Sequence, residues 1–131
     1  MTGIGELYHH DDWKKEKHVP VIEAPAVVGP DVPFEVSVQV GKDIAHPNTT
    51  GHHIRWIQVF FLPEGGKFAY QVGEFAFTAH GESTEGADTG PVHTDHRVRF
   101  ALTLKASGTL FATSYCNIHG LWESSTAIAI R

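Results

Sequence analysis

Apolar residues recur at every second position through most of this chain, and that period restricts the folds open to it. Phe34, Val36, Val38 and Val40 alternate with Glu35, Ser37 and Gln39. Successive side chains of an extended strand point to opposite faces, so this segment has one apolar and one polar face. Val98, Phe100, Leu102 and Leu104 repeat the pattern over residues 97–104, and Thr126, Ile128 and Ile130 oppose Ala127 and Ala129 over 124–130. Residues 54–61 are apolar almost throughout, the mark of a central strand. A further strand region spans 67–78, where Gly73 signals a bulge or a split into two strands. Residues 110–115 follow Ala106-Ser107-Gly108-Thr109, read as a hairpin turn, and a short strand at 19–23 comes first. No segment carries a helical stripe longer than about two turns. About seven short strands between Gly- and Pro-bearing turns predict an all-β fold, an antiparallel β-sandwich with Greek-key links.

At 131 residues the chain is expected to form a single domain, 1–131, with a short N-terminal arm at 1–15. Charged residues make up 19% and apolar residues 41%, a balance that excludes a disordered chain. The formal charge is -5 and Lys and Arg are scattered, which argues against a nucleic-acid-binding surface. Trp and Phe fall within the alternating segments and read as core. The N-terminus lacks an apolar signal core, and no run is long enough for a membrane span. With one cysteine, a cytoplasmic, reducing location is expected. The polar stretch 81–96, with Gly86, Gly90 and Pro91, is long for a loop. It reads either as a contact with a partner or subunit or as a plain connector.

The chain has 10 histidines and 1 cysteine, and the informative ones fall in three clusters where turns meet strands. These are Glu16-Lys17-His18-Val19-Pro20, then His46-Pro47-Asn48-Thr49-Thr50-Gly51-His52-His53, then Cys116-Asn117-Ile118-His119-Gly120. Loops at one end of a rigid sandwich are a common place for a site. Pro47 restricts His46 and stiffens its loop. His52 and His53 should point to opposite faces, so at most one of them joins His46 at a shared ion. Spacing leaves open which one. Cys116 reads either as a packed thiol or as a metal ligand. Its place beyond the end of a strand, next to Asn117 and just before Gly120, favours the ligand. His18 carries the weakest signal. Glu16 and Lys17 beside it are ordinary surface charge, or else a carboxylate and an ammonium over an open metal position, where the lysine would draw in a small anion. His9, His10, His80, His93 and His96 lie in polar or terminal stretches and read as solvated.

Several imidazoles with one thiolate suit iron, copper or zinc. Structural zinc takes four ligands and closes its site. A blue-copper electron carrier would use two His and a Cys, usually with a distant Met, and the only methionine is Met1. Iron fits the inventory best. The copper carrier stays as an alternative, as does a non-enzymatic sandwich binding module.

The motifs Glu16-Lys17-His18-Val19-Pro20, His46-Pro47-Asn48-Thr49, His52-His53-Ile54-Arg55-Trp56 and Cys116-Asn117-Ile118-His119-Gly120-Leu121-Trp122 resemble superoxide reductase, more narrowly the one-iron neelaredoxin type. Phe61-Leu62-Pro63-Glu64-Gly65 and Phe77-Thr78-Ala79-His80-Gly81-Glu82 share the likeness, which runs from about residue 12 to the C-terminal strand. The resemblance implies a seven-stranded immunoglobulin-like sandwich holding one iron. It implies equatorial imidazoles from His18, His46, His52 and His119, with Cys116 as the axial thiolate. It selects His52 over His53. Glu16 matches a carboxylate that binds the sixth position of oxidised iron, and Lys17 a lysine that draws in superoxide. The expected reaction is one-electron reduction of superoxide to hydrogen peroxide, with a rubredoxin-like donor restoring the ferrous state. The extra four-cysteine iron domain of desulfoferrodoxin relatives is not expected. A homo-oligomer is, of the kind that forms tetramers in this family.

Overall fold

Alternation becomes strand wherever one face meets a core. The computed structural model describes residues 3–131. A short 3-10 turn, Ile4–Leu7, precedes eight strands. These are β1 (Pro20–Glu23), β2 (Val27–Val28), β3 (Phe34–Val40), β4 (Ile54–Pro63), β5 (Tyr70–Ala76), β6 (Arg97–Leu102), β7 (Gly108–Cys116) and β8 (Gly120–Ile130). They form two sheets, one ordered β1-β3-β6 and the other β2-β8-β7-β4-β5. Val36, Val38 and Val40 of the small sheet meet Ile57, Val59, Leu110, Ala112 and Ile128 of the large one in the buried core. Each buried Val, Leu or Ile among them contributes about 1.5–3 kcal/mol. The result is a β-sandwich. No helix among the described residues is long and apolar enough to cross a membrane.

Several details depart from the sequence reading. An eighth strand, β2, is a two-residue parallel rung on the end of β8 (Val27↔Ala129, Val28↔Ile130). Residues 106–109 do not close a hairpin. Strand β6 pairs with β3 in one sheet while β7 pairs with β4 and β8 in the other, so the chain crosses between layers there. Gly-rich turns look alike whether they reverse the chain within a sheet or pass it to the next. Gly73 does mark a bulge, because the β4–β5 register slips between Val59 and Phe60, opposite it. The aromatic residues are not uniformly core: Phe68 is 81% exposed, and none of the three tryptophans belongs to the buried cluster.

This topology gathers the three loop clusters at one end. β1 and β3 are antiparallel with Pro20 opposite Val40, so His18, before β1, and His46, after β3, leave the same end of the small sheet. β4 and β7 are antiparallel with Ile54 opposite Cys116, which puts His52 and the Cys116 loop at one end of the large sheet. A second slip, between Ile54 and Trp56, lets Ile54 and Cys116 both face inward. The Oγ of Ser114 donates to the carbonyl of His18 at 3.2 Å, tying the two sheets together at that end.

Candidate metal centre

Cys116 is the last residue of β7, not a residue beyond it. Leu110, Ala112, Ser114 and Cys116 form one buried, inward row. The polar Ser114 disguises this alternation in the sequence. Cys116 pairs with Gly120 across a three-residue hairpin loop, and Gly120 has φ 79°, a left-handed conformation that suits glycine. The turn presents the sulfur inward and returns His119 to it. The His119 N–H donates to Sγ at 3.4 Å, and its Nδ1 lies 3.8 Å from the same sulfur.

The neighbouring loop is fixed to this hairpin by Asn117. Its Nδ2 donates to the Gly51 carbonyl at 2.9 Å, and its Oδ1 accepts from the His53 N–H at 2.8 Å. The Asn117 N–H donates to the His53 carbonyl at 3.2 Å. Thr49 closes the turn before His52: its N–H donates to the His52 carbonyl at 3.0 Å, and its Oγ1 accepts from the His52 N–H at 3.1 Å. The long 81–96 loop packs on the same segment. Asp88 accepts from the Thr50 N–H at 2.7 Å, and Asn48 donates to the Thr94 carbonyl at 3.0 Å.

Four imidazoles close a ring. Centroids of His18 and His46 lie 4.9 Å apart, His46 and His52 4.7 Å, His52 and His119 5.0 Å, and His119 and His18 4.6 Å. The diagonal from His18 to His52 is longer, 6.3 Å. Donor atoms of His18, His52, Cys116 and His119 all lie within 4.8 Å of one another. His46 stands outside that tighter set, though its ring touches two of its members.

Hydrogen bonding shows which nitrogens are free. The Nδ1 of His46 lies 2.7 Å from the Pro47 carbonyl, an acceptor, so Nδ1 carries the proton and Nε2 keeps a lone pair. That Nε2 is buried without a protein partner, and so is the Nε2 of His52. Such orphaned atoms are costly unless something other than a protein group binds them. His18 Nδ1 bonds the Glu16 carboxylate, which leaves its Nε2 turned toward His119 Nδ1 at 3.1 Å. Burial holds His18 and His52 below the usual imidazole pKa and His46 down to about 3, so these rings stay neutral, as metal ligands must be. Positive charge on Lys17 acts in the same direction on His18 and His52. Burial alone would raise the Glu16 carboxyl, but bonds from His18 outweigh it and hold it below the ordinary value. Orphaned nitrogens, neutral imidazoles and one sulfur therefore fit a metal ion, and this His/Cys cluster is a metal site.

The other histidines divide. His53 turns away from the cluster and stacks on His80, with centroids 3.5 Å apart and planes 6° apart. His80 is not solvated: it is 4% exposed, and its Nδ1 donates to Asn48 Oδ1 at 3.0 Å. His96 lies 5.8 Å from His46 by centroid, and His10 reaches Glu123 at 3.0 Å. His93 forms an isolated bridge with His80. Met1, the sulfur a copper centre would draw on, lies outside the described residues. Glu16 Oε1 accepts from the backbone N–H of His18 at 2.8 Å as well as from its ring. Sequence reasoning missed Asn117 as a loop tie and Trp122 as a neighbour of His18. The turn propensity of Asn marks the first, and nothing in local pattern marks the second.

A β-sandwich whose loops converge on histidines and one buried cysteine defines a metalloprotein class. The desulfoferrodoxin family model matches residues 10–125, and the chain belongs to that family. It is 57% identical over 126 residues to neelaredoxin from Megalodesulfovibrio gigas, covering 96% of this chain and 97% of that protein. It is 55% identical over 125 residues to superoxide reductase from Pyrococcus furiosus, covering 95% of this chain and 98% of the relative. Among solved structures, a putative superoxide reductase from Thermotoga maritima superposes with TM-score 0.98 at 52% identity, covering 100% of this chain and 99% of that one.

Proposed function

We propose that this protein is a superoxide reductase whose centre holds one iron through His18, His46, His52, His119 and Cys116. The observation that carries the reading is the pair of buried, unpartnered Nε2 atoms on His46 and His52, beside a sulfur and two further imidazoles. Bound there, iron would supply one electron to superoxide, which with two protons becomes hydrogen peroxide, and would regain it from an external donor.

The chain's own residues account for the rest. Neutral imidazoles leave net positive charge at the centre, and the thiolate of Cys116 offsets part of it. The His119 N–H bonded to Sγ draws charge from that sulfur and tunes its donation. Superoxide is an anion, and the chain carries a formal charge of -5, so the overall field opposes its approach. Lys17 is the local counterweight, and we assign it to drawing the substrate in. We assign Glu16 to the open position as a displaceable carboxylate that otherwise holds His18. His119 lies at the exposed rim, so solvent is available as the proton source.

The same reading makes residues 1–131 one iron-binding domain with an arm at 1–15, a rubredoxin-like protein its donor, and a homo-oligomer its assembled form in the cytoplasm. The test is peroxide yield per superoxide with excess reductant. One peroxide per superoxide without oxygen release supports reduction. Half that yield with oxygen release means dismutation and defeats the proposal.

A further inference from the structure

Trp122 touches the centre twice without belonging to it. Its indole stacks on His18, with centroids 4.9 Å apart and planes 14° apart. Its Nε1–H donates to the carbonyl of His119 at 3.2 Å. Trp122 pairs with Ser114 across β7–β8, so it shares the inward face with the serine that binds the His18 carbonyl. The indole also meets the N-terminal arm. His9 packs on it at 5.1 Å. Main-chain bonds seat that histidine along the open edge of β8: His9 N–H to the Leu121 carbonyl at 2.9 Å, and Glu123 N–H to the His9 carbonyl at 3.0 Å.

We propose that Trp122, seated by His9, is a positioning residue of the metal centre that fixes the planes and reach of His18 and His119 together. This rests on the reading of the centre given above. His18 lies in an irregular segment, and His119 sits at the exposed end of a hairpin, so neither gains rigidity from a regular strand. An indole stacked in offset fashion resists rotation of the His18 ring, and its N–H fixes the turn that carries His119. A side chain serving only as filler would lie among the aliphatic core. Trp122 instead is half-buried, with His18 on one face and His9 near it. The arm then becomes part of the site: its docking on β8 sets how firmly two donors are held.

The test compares Trp122→Phe, Trp122→Leu and His9→Ala with wild type and with Ile128→Ala, a core change outside the centre. Each protein is loaded with cobalt(II), and its release to excess EDTA is followed by the sulfur-to-metal absorption band. Stability comes separately from urea unfolding of the metal-free forms. Trp122→Leu should release metal about tenfold faster or more, with a displaced band, as loss of a ligand-orienting partner does. Trp122→Phe, which keeps a flat ring but has no N–H, should fall between, and His9→Ala should move the same way by less. Ile128→Ala should lower the urea midpoint and leave release and band unchanged. Release from Trp122→Leu within about twofold of wild type overturns the inference, and so does equal acceleration by Ile128→Ala. His9→Ala matching wild type removes the arm from it. Wild type that takes up cobalt without a thiolate band defeats the reading of the centre itself, and the inference with it.

Discussion

Replacing Asn117 with alanine should loosen the whole centre through a residue that binds no metal. The side chain makes two bonds that join the Cys116 hairpin to the His52 loop. Truncation leaves the partly buried N–H of His53 without its acceptor at 2.8 Å, at a cost of about 1–3 kcal/mol. The Gly51 carbonyl is more exposed and regains water, so its loss costs about 0.5–1 kcal/mol. The sum, about 1.5–4 kcal/mol, is a large share of the roughly 5–15 kcal/mol that holds a domain folded. Urea unfolding of the metal-free protein should show this as a lower midpoint with an unchanged slope. Chelator competition should show weaker metal binding, because the loop carrying His52 then keeps only the main-chain bond from Asn117 to the His53 carbonyl out of its three bonds to that residue. Asn117→Asp keeps the acceptor for His53 but sets a carboxylate against the Gly51 carbonyl, and should lie between. An alanine variant within about 0.5 kcal/mol of wild type and equal to it in metal affinity would show that the loops converge for some other reason.

Other outcomes follow from the same geometry. Lys17→Ala should slow the second-order reaction with superoxide at low salt, flatten its salt dependence and leave metal content intact; equal rates in pulse radiolysis would take Lys17 out of the mechanism. Glu16→Ala frees His18 Nδ1 and removes the carboxylate assigned to the open position, so the reduced protein should still react while the oxidised spectrum shifts. An unchanged oxidised spectrum across a pH series would contradict that assignment. Metal-free protein should be acid-sensitive. Burial lowers the pKa of His18, His52 and His46, the last to about 3, so between the unfolded value and those folded values the unfolded chain binds more protons. That part of the stability is present above about pH 6.5 and is lost as pH falls toward the folded values. A urea midpoint that stays flat from about pH 7 to about pH 4.5 would refute it.

Much of this was legible in the sequence, because period two is enforced by the pleat wherever a strand covers a core. Residues 34–40 announced β3 by alternation alone. The failures have physical causes. Ser114 interrupts the apolar run of β7 because its hydroxyl serves the His18 carbonyl, so the strand seemed to stop before Cys116. The segment at 106–109 has turn composition, yet which sheet receives the next strand is decided by distant pairing with β4. His80 sits in a polar stretch and reads as solvated, but its ring is covered by His53, which is 27 positions away in sequence. The adjacent pair His52 and His53 was correctly expected to diverge. Their opposite destinations, one at the cluster and one against His80, follow from alternation at the strand start. The stack of Trp122 on His18 joins residues 104 apart, and only the finished fold can make it.

X-ray absorption at the iron edge of the loaded wild type, set beside Cys116→Ser, tests the central claim most directly. The account predicts a first shell of one sulfur and four imidazole nitrogens in the wild type, and loss of the sulfur component with loss of the charge-transfer band in the serine variant. A wild-type iron shell of nitrogen and oxygen alone, or a serine variant with the wild-type shell and full turnover, would contradict it.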